Sequence, residues 1–367
     1  QRALFPGAPA TACDDFRLAQ HLNAADWHAH RTTWFGLGDL ERMRAAGLTS
    51  VRVPIGYWLL KVDGLTRRPA GPFEGERAWL ASAQPYHGPD EAHVTRLLDN
   101  ARQVGLGVQL CLQGAPGGQS GEASCGFQDP GWRWEWWDVC ASVRCVARIA
   151  ARWGDHPALS AIALLDAPAV SIPSQRLAEY YELGYDAVRA AGCGAVVVMD
   201  ASGRPWAELS RAGLPRRHFQ RVQLGVRALQ CYGTDWATAK LEEHMRYART
   251  GAGHTPPPDE LLGVLPGHRP LVTAWSATLP TWQFNGCTPS ALALAAIDSA
   301  KELAAVRRAL VEAQLRCFAR VSGGHYFGAW KVDDGGTGEL SSWSYERLLA
   351  LGWAPARTDM EALYASS

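Results

Sequence analysis

The chain has 367 residues, 47% of them apolar and 20% charged, with 36 Lys and Arg against 36 Asp and Glu. That length buries a full core without disulfide or metal staples, and the balanced charge excludes the bias that draws nucleic acid or an anionic membrane surface. No run of about 18 apolar residues occurs, so no membrane-spanning helix is expected, and nine cysteines without a CxxC spacing argue against a zinc or dithiol centre.

Short apolar runs alternate with longer helical patterns. "LTSVRVPI" (48–55), "GVQLCLQ" (107–113), "SAIALLD" (160–166) and "GAVVVMD" (194–200) read as strands. "RVQLGVRAL" (221–229), "PLVTAW" (270–275) and "HYFGAWK" (325–331) follow. Such near-continuous apolar runs suit parallel strands covered on both faces. Helical spacing appears over 37–47, 89–105, 137–154, 174–192, 234–250 and 296–323. Gly47 ends the first of these in the manner of a C-terminal cap, and Ser174 opens the fourth. Seven strand–helix repeats in series favour a (β/α)8 TIM barrel in a single domain over 1–367. No GxGxxG fingerprint follows the first strand, which weighs against a dinucleotide-binding sheet and its cofactor. An eighth strand should precede Leu4. Loop insertions are expected at 61–90 and 251–269, and "QRALFPGAPA" carries no charged-then-apolar leader pattern.

Cys111, Cys193 and Cys317 lie in apolar contexts and should pack as small hydrophobes. Cys13, Cys125 and Cys287 lie in loop-like contexts, open to disulfide pairing in an oxidising compartment. The cluster "GWRWEWWD" places Trp132, Trp134, Trp136 and Trp137 at a helix start. Clustered tryptophan suits an interface anchor. Inward packing is the alternative.

In a parallel barrel the chemistry gathers just past the C-terminal strand ends. Those places hold Arg52 to Trp58, Gln113 to Gly121, Asp166 to Pro168, Asp200 to Ser202, Gln230 to Tyr232, Thr273 to Ser276 and Trp330 to Asp334. Several are distinctive: "GLTSVRVPIGYW" (47–58), "LQGAPGGQSG" (112–121), "VVVMDAS" (196–202), "VEAQLRCFARVSGGHYFGAWK" (311–331) and "LGWAPA" (351–356). In this order they resemble the motifs of fungal exo-β-1,3-glucanases of glycoside hydrolase family 5, from Leu4 onward.

The resemblance implies a site with altered chemistry. The family's fourth strand ends "LLNEP", with Glu as general acid/base; here "LLDAP" puts Ala167 there. The seventh ends "GEWS", with Glu as nucleophile; here "TAWS" puts Ala274 there. Retaining hydrolysis needs two carboxylates about 5–5.5 Å apart, and a methyl group replaces neither. Gln113 and Gln230 stand where the family has histidines, and Gly328 where it has one of two closing tryptophans. Arg52, Tyr232 and Trp330 match the family.

The expectation is therefore a barrel that is not an enzyme, with a structural role among other proteins in an extracellular or cell-surface assembly. One alternative is non-catalytic binding of a β-glucan-like glycan through Arg52, Trp58, Gln113, Asp166, Gln230, Tyr232 and Trp330. Another is a glycoside hydrolase with relocated carboxylates, drawn from Asp166, Asp200 and Asp333. No metal and no cofactor is expected in any of these readings.

Overall fold

A computed structural model describes residues 9, 11–214, 218–232, 236, 238–251, 269–279, 300–333 and 340–365. Its strands are β1 (Ser50–Gly56), β2 (Gly107–Gly114), β3 (Leu159–Ala163), β4 (Val196–Asp200), β5 (Val222–Ala228), β6 (Leu271–Trp275) and β7 (His325–Phe327). The chain divides into two compact units. The first comprises Gln1–Ser202 and Leu209–Val222, the second Gly203–Glu208 and Gln223–Ser367.

In the first unit β1 pairs with β2, β2 with β3 and β3 with β4, all parallel. Arg52 lies opposite Gln109 in this register, and Ala163 opposite Val198. Side chains alternate along a strand, so Gln109, Cys111 and Gln113 share one face of β2 with Arg52 beside them. Polar side chains thereby climb one face toward the strand ends. Helix Glu91–Val104 lays Val94, Leu98 and Ala101 inward and stops at Gly105, whose φ of 74° closes the last turn. Helix Val139–Trp153 starts at Asp138, whose side chain accepts from the Ala141 amide at 2.8 Å. Helix Ser174–Ala190 buries Tyr180 and Tyr181, which donate to the Leu164 and Asp200 carbonyls at 2.5 and 2.7 Å. Both bonds fasten the helix to backbone at the strand ends. Ser174, expected as the cap, is instead the first helical residue; Pro173 holds the cap position, with no side-chain capping bond.

The insertion at 61–90 is largely aromatic packing. Tyr86 stacks on Trp58 at 4.1 Å, and Phe16 meets the edges of both Tyr86 and Phe127. Phe16 belongs to helix Asp15–Ala19, which with helix Ala24–Thr33 was not expected from hydrophobic spacing. Their caps carry the signal instead: Asp14 accepts from Arg17, and Asn23 forms a capping box with Asp26.

In the second unit β5, β6 and β7 pair in parallel, with Gly225 opposite Leu271 and Val272 opposite His325. Helix Ala300–Val321 buries Leu310, Val311, Leu315 and Phe318. β7 is shorter than its apolar run. Past Phe327 the chain turns away, and the Ala329 and Trp330 carbonyls accept from Tyr345 and Glu346 at 3.0 Å each. The insertion expected at 251–269 falls outside the described residues except at its two ends, as does the place expected for the eighth strand.

Candidate functional site

Asp166 stands past the end of β3, nearly buried at 3% exposure. The Arg52 guanidinium meets one carboxylate oxygen at 2.6 Å, and the Gln113 amide donates to the other at 3.2 Å. Gln119 donates to the Asp166 carbonyl at 2.9 Å, and the Asp166 amide to Leu112 at 3.0 Å. Backbone and side chain of Asp166 are therefore both fixed. Arg52 also reaches the Cys111 sulfur at 2.8 Å. Burial alone would pull its proton affinity down, but Cys111, Asp166 and Asp200 outweigh that and hold it above ordinary arginine. Asp200, also buried, accepts from the Ser202 amide at 2.6 Å, and the Ser202 hydroxyl donates to the Pro168 carbonyl. The result is a charged, hydrogen-bonded cluster at the ends of neighbouring parallel strands.

Ala167 follows Asp166 with φ 44°, in the left-handed region. That conformation costs about 1–2 kcal/mol outside glycine. The Ser202 φ of 52° is similar. Strain of this kind gathers where a fold positions a loop for function.

The structure gathers Arg52, Gln113 and Asp166 as the sequence suggests, but not Trp58. Trp58 is 6% exposed and lies against Gly56, Gly114 and Gly126, so it fills the core rather than facing a glycan. The tryptophan cluster packs inward in part. Trp137 is buried, donates to Ser142 at 3.0 Å and meets the Tyr180 edge. Trp132 donates to the Gly117 carbonyl at 2.9 Å, and Trp136 lies under the Arg77 guanidinium at 4.3 Å. Trp134 is half-buried. Trp132 and Trp136 are half-buried as well, so of the four only Trp137 is fully enclosed.

In the second unit Gln230 is buried past β5, and its side-chain oxygen meets His244 Nδ1 at 3.1 Å. His244 stacks on Trp236 at 4.9 Å and was missed by the sequence reading. Its signal was available: it shares the inward face of helix Leu241–Thr250 with Tyr247 and Ala248. Tyr232 is exposed, while Trp330 and Asp333 are half-buried. Ala274 is the penultimate residue of β6.

Burial lowers the His244 imidazole to about 4, against a small lift from the Trp236 backbone. An unfolded histidine titrates near 6.5. Between those values the unfolded chain binds a proton that the folded chain refuses, so stability falls as pH falls through the window. Denaturation midpoints should drop from about pH 6.5 to about pH 4, and the slope should flatten in His244→Asn. An unchanged slope in that variant would contradict this assignment.

Among the described residues no group of His, Cys, Asp and Glu is placed to hold a metal. No described helix is long and apolar enough to cross a membrane. Cys111, Cys193 and Cys317 are buried, as expected of packing thiols. Cys13 and Cys125 are free thiols rather than disulfide partners, the first beside Gln128 and the second sharing a hydrogen bond with Ser120. Cys287 lies outside the described residues.

No protein-family model matches the chain. It is 24% identical to a probable glucan 1,3-beta-glucosidase A of Aspergillus niger, over 95% of this chain and 82% of that protein. It is 26% identical to a glucan 1,3-beta-glucosidase of Blumeria graminis, over 90% of this chain and 75% of the relative. Among solved structures it is similar to a rutinosidase from Aspergillus niger, with TM-score 0.67, 14% identity and coverage of 95% and 92%. It is also similar to the endoglucanase Cel5A of Pseudomonas stutzeri, with TM-score 0.51, 13% identity and coverage of 90% and 84%. The fold is that of a (β/α)8 barrel. The particular relatives that span it are named as glucan 1,3-beta-glucosidases. The expectation that the chain is not an enzyme is corrected by that finding: its full-length relatives carry the name of an activity.

Proposed function

We propose that the chain is a glycoside hydrolase acting on a β-1,3-linked glucan, with carboxylates relocated from positions 167 and 274. The observation that carries this reading is the Asp166 cluster. Its Arg52 and Gln113 bonds suit an ionised carboxylate, which accepts hydrogen bonds and does not donate a proton. Such a group faces the positive charge that develops on a sugar ring as its glycosidic bond breaks. Asp200, on the next strand, is the second acid in this scheme. The names of the relatives support the substrate class. An extracellular setting, where such glucans are met, belongs to the same proposal.

The test is incubation of the full chain with laminari-oligosaccharides, followed by chromatography of the products. Release of glucose is expected, falling about 10²–10³-fold in Asp166→Asn, the range for loss of one group that stabilises charge in the transition state. Intact oligosaccharide after prolonged incubation with the wild type would overturn the proposal. A wild-type rate in both Asp166→Asn and Asp200→Asn would overturn the assignment of the carboxylates.

A further inference from the structure

Asp166 and Asp200 lie at the starts of neighbouring loops, and each loop holds a residue in the left-handed region. Ala167 follows Asp166 directly with φ 44°, and Ser202 stands two residues past Asp200 with φ 52°. Neither residue is glycine, so the surrounding bonds hold these conformations rather than any intrinsic preference. One side chain joins the two loops. The Ser202 hydroxyl donates to the Pro168 carbonyl, past β3, while the Ser202 amide donates to Asp200 Oδ1 at 2.6 Å, at the end of β4. A single residue thus orients the Asp200 carboxylate and ties its loop to the one that follows Asp166. Other bonds hold one loop each. Gln119 donates to the Asp166 carbonyl at 2.9 Å and accepts from the Ala169 amide at 2.8 Å. Tyr181 donates to the Asp200 carbonyl at 2.7 Å.

We infer, resting on the reading of both carboxylates as the acids of a glycoside hydrolase, that Ser202 is a positioning residue that sets one against the other. Hydrolysis by two carboxyl groups depends on their separation. About 5–5.5 Å lets one attack the sugar, and about 6.5–9.5 Å leaves room for a water between them. A loop that relaxes by about 1 Å leaves both acids present and wrongly spaced, which costs about 100-fold in rate. Contacts to the rest of the substrate are untouched, so the loss falls on kcat and not on KM.

Substitution separates the hydroxyl from the backbone angle. Ser202→Ala removes the hydroxyl and keeps the left-handed cost. Ser202→Gly removes the hydroxyl and relieves that cost. Ser202→Thr keeps the hydroxyl and adds crowding, because a β-branched residue fits this region poorly. The experiment is thermal melting of the three full-length variants, with kcat and KM from glucose release on laminari-oligosaccharides. Ser202→Gly should melt above Ser202→Ala, yet both should lose about 100-fold in kcat with KM unchanged. Ser202→Thr should melt below the wild type and keep most of its turnover. A purely structural serine predicts the opposite, with turnover following melting temperature across the series, and that result would overturn the inference. Wild-type kcat in Ser202→Gly, beside an active wild type, would overturn it alone. A wild type that releases no glucose would overturn the hydrolase reading and the role of Ser202 together.

Discussion

Asp166→Ala should lower the free energy of unfolding by about 3–5 kcal/mol, the cost of leaving a buried charge without its partner. Arg52 is 14% exposed at its side chain and Asp166 4%, so little water can replace the lost carboxylate. One further bond fails with it, the one from Gln113. Asp166→Asn should cost less, because the amide keeps an acceptor for Arg52 while losing the charge. A double change, Arg52→Met with Asp166→Leu, should recover most of the loss, since matched apolar groups remove both desolvation penalties together. Guanidinium denaturation of the three variants checks this, with the slope held constant as the sign that only stability has changed. A loss under about 1 kcal/mol in Asp166→Ala, the range of exposed pairs, would show that the site is wetter than its burial indicates. Stability and turnover thus report on the same carboxylate independently.

The legible parts of the chain share one property: their signal is local. The strand runs at 107–113 and 270–275 match β2 and β6 almost residue for residue, because a doubly covered strand is apolar along most of its length. β7 ended early for a non-local reason. Its last apolar residues bond to a segment about 15 positions further on, and no periodicity encodes that choice. The same distinction divides the site. Gln113 and Asp166 could be placed together because each sits at or just past a strand's C-terminal end, where parallel strands converge, while Arg52 reaches Asp166 from the third position of β1. His244 had a legible place on the inner face of its helix, but nothing local in the sequence names Gln230 as its partner. Gly328 looked like a loss until Trp343 was seen to occupy its space. Most instructive was Trp58, whose position past a strand suggested a ligand platform. Residues 56, 114 and 126, all glycine, decide its fate by opening a slot for the ring, and the three are far apart in the chain.

That slot makes Trp58→Ala the other large expected effect, about 3–5 kcal/mol, the usual cost of truncating a buried tryptophan. The indole stacks on Tyr86 at 4.1 Å with 8° between planes and meets the Tyr57 ring at 5.3 Å. Three glycines line one side of it, and they have no side chains to turn into the void left behind. Gly56 provides the sharper test. Its φ of −85° suits any residue, and all three of the nearest atoms to an added Cβ belong to the Trp58 ring, the first at 2.3 Å. Gly56→Ala should therefore destabilise the wild type by about 1–3 kcal/mol through overpacking. In a Trp58→Ala background the same change should cost little, since the obstruction has gone and a methyl group enters the void. The two effects must then be non-additive, with a coupling that a double-mutant cycle reads directly. Additive losses would mean that the ring moves aside for the methyl, which would restore Trp58 as a mobile side chain able to reach a glycan. Strong coupling, with oligosaccharide affinity unchanged in a folded Trp58→Phe variant, fixes it as the pin that joins the insertion at 61–90 to the ends of β1 and β2.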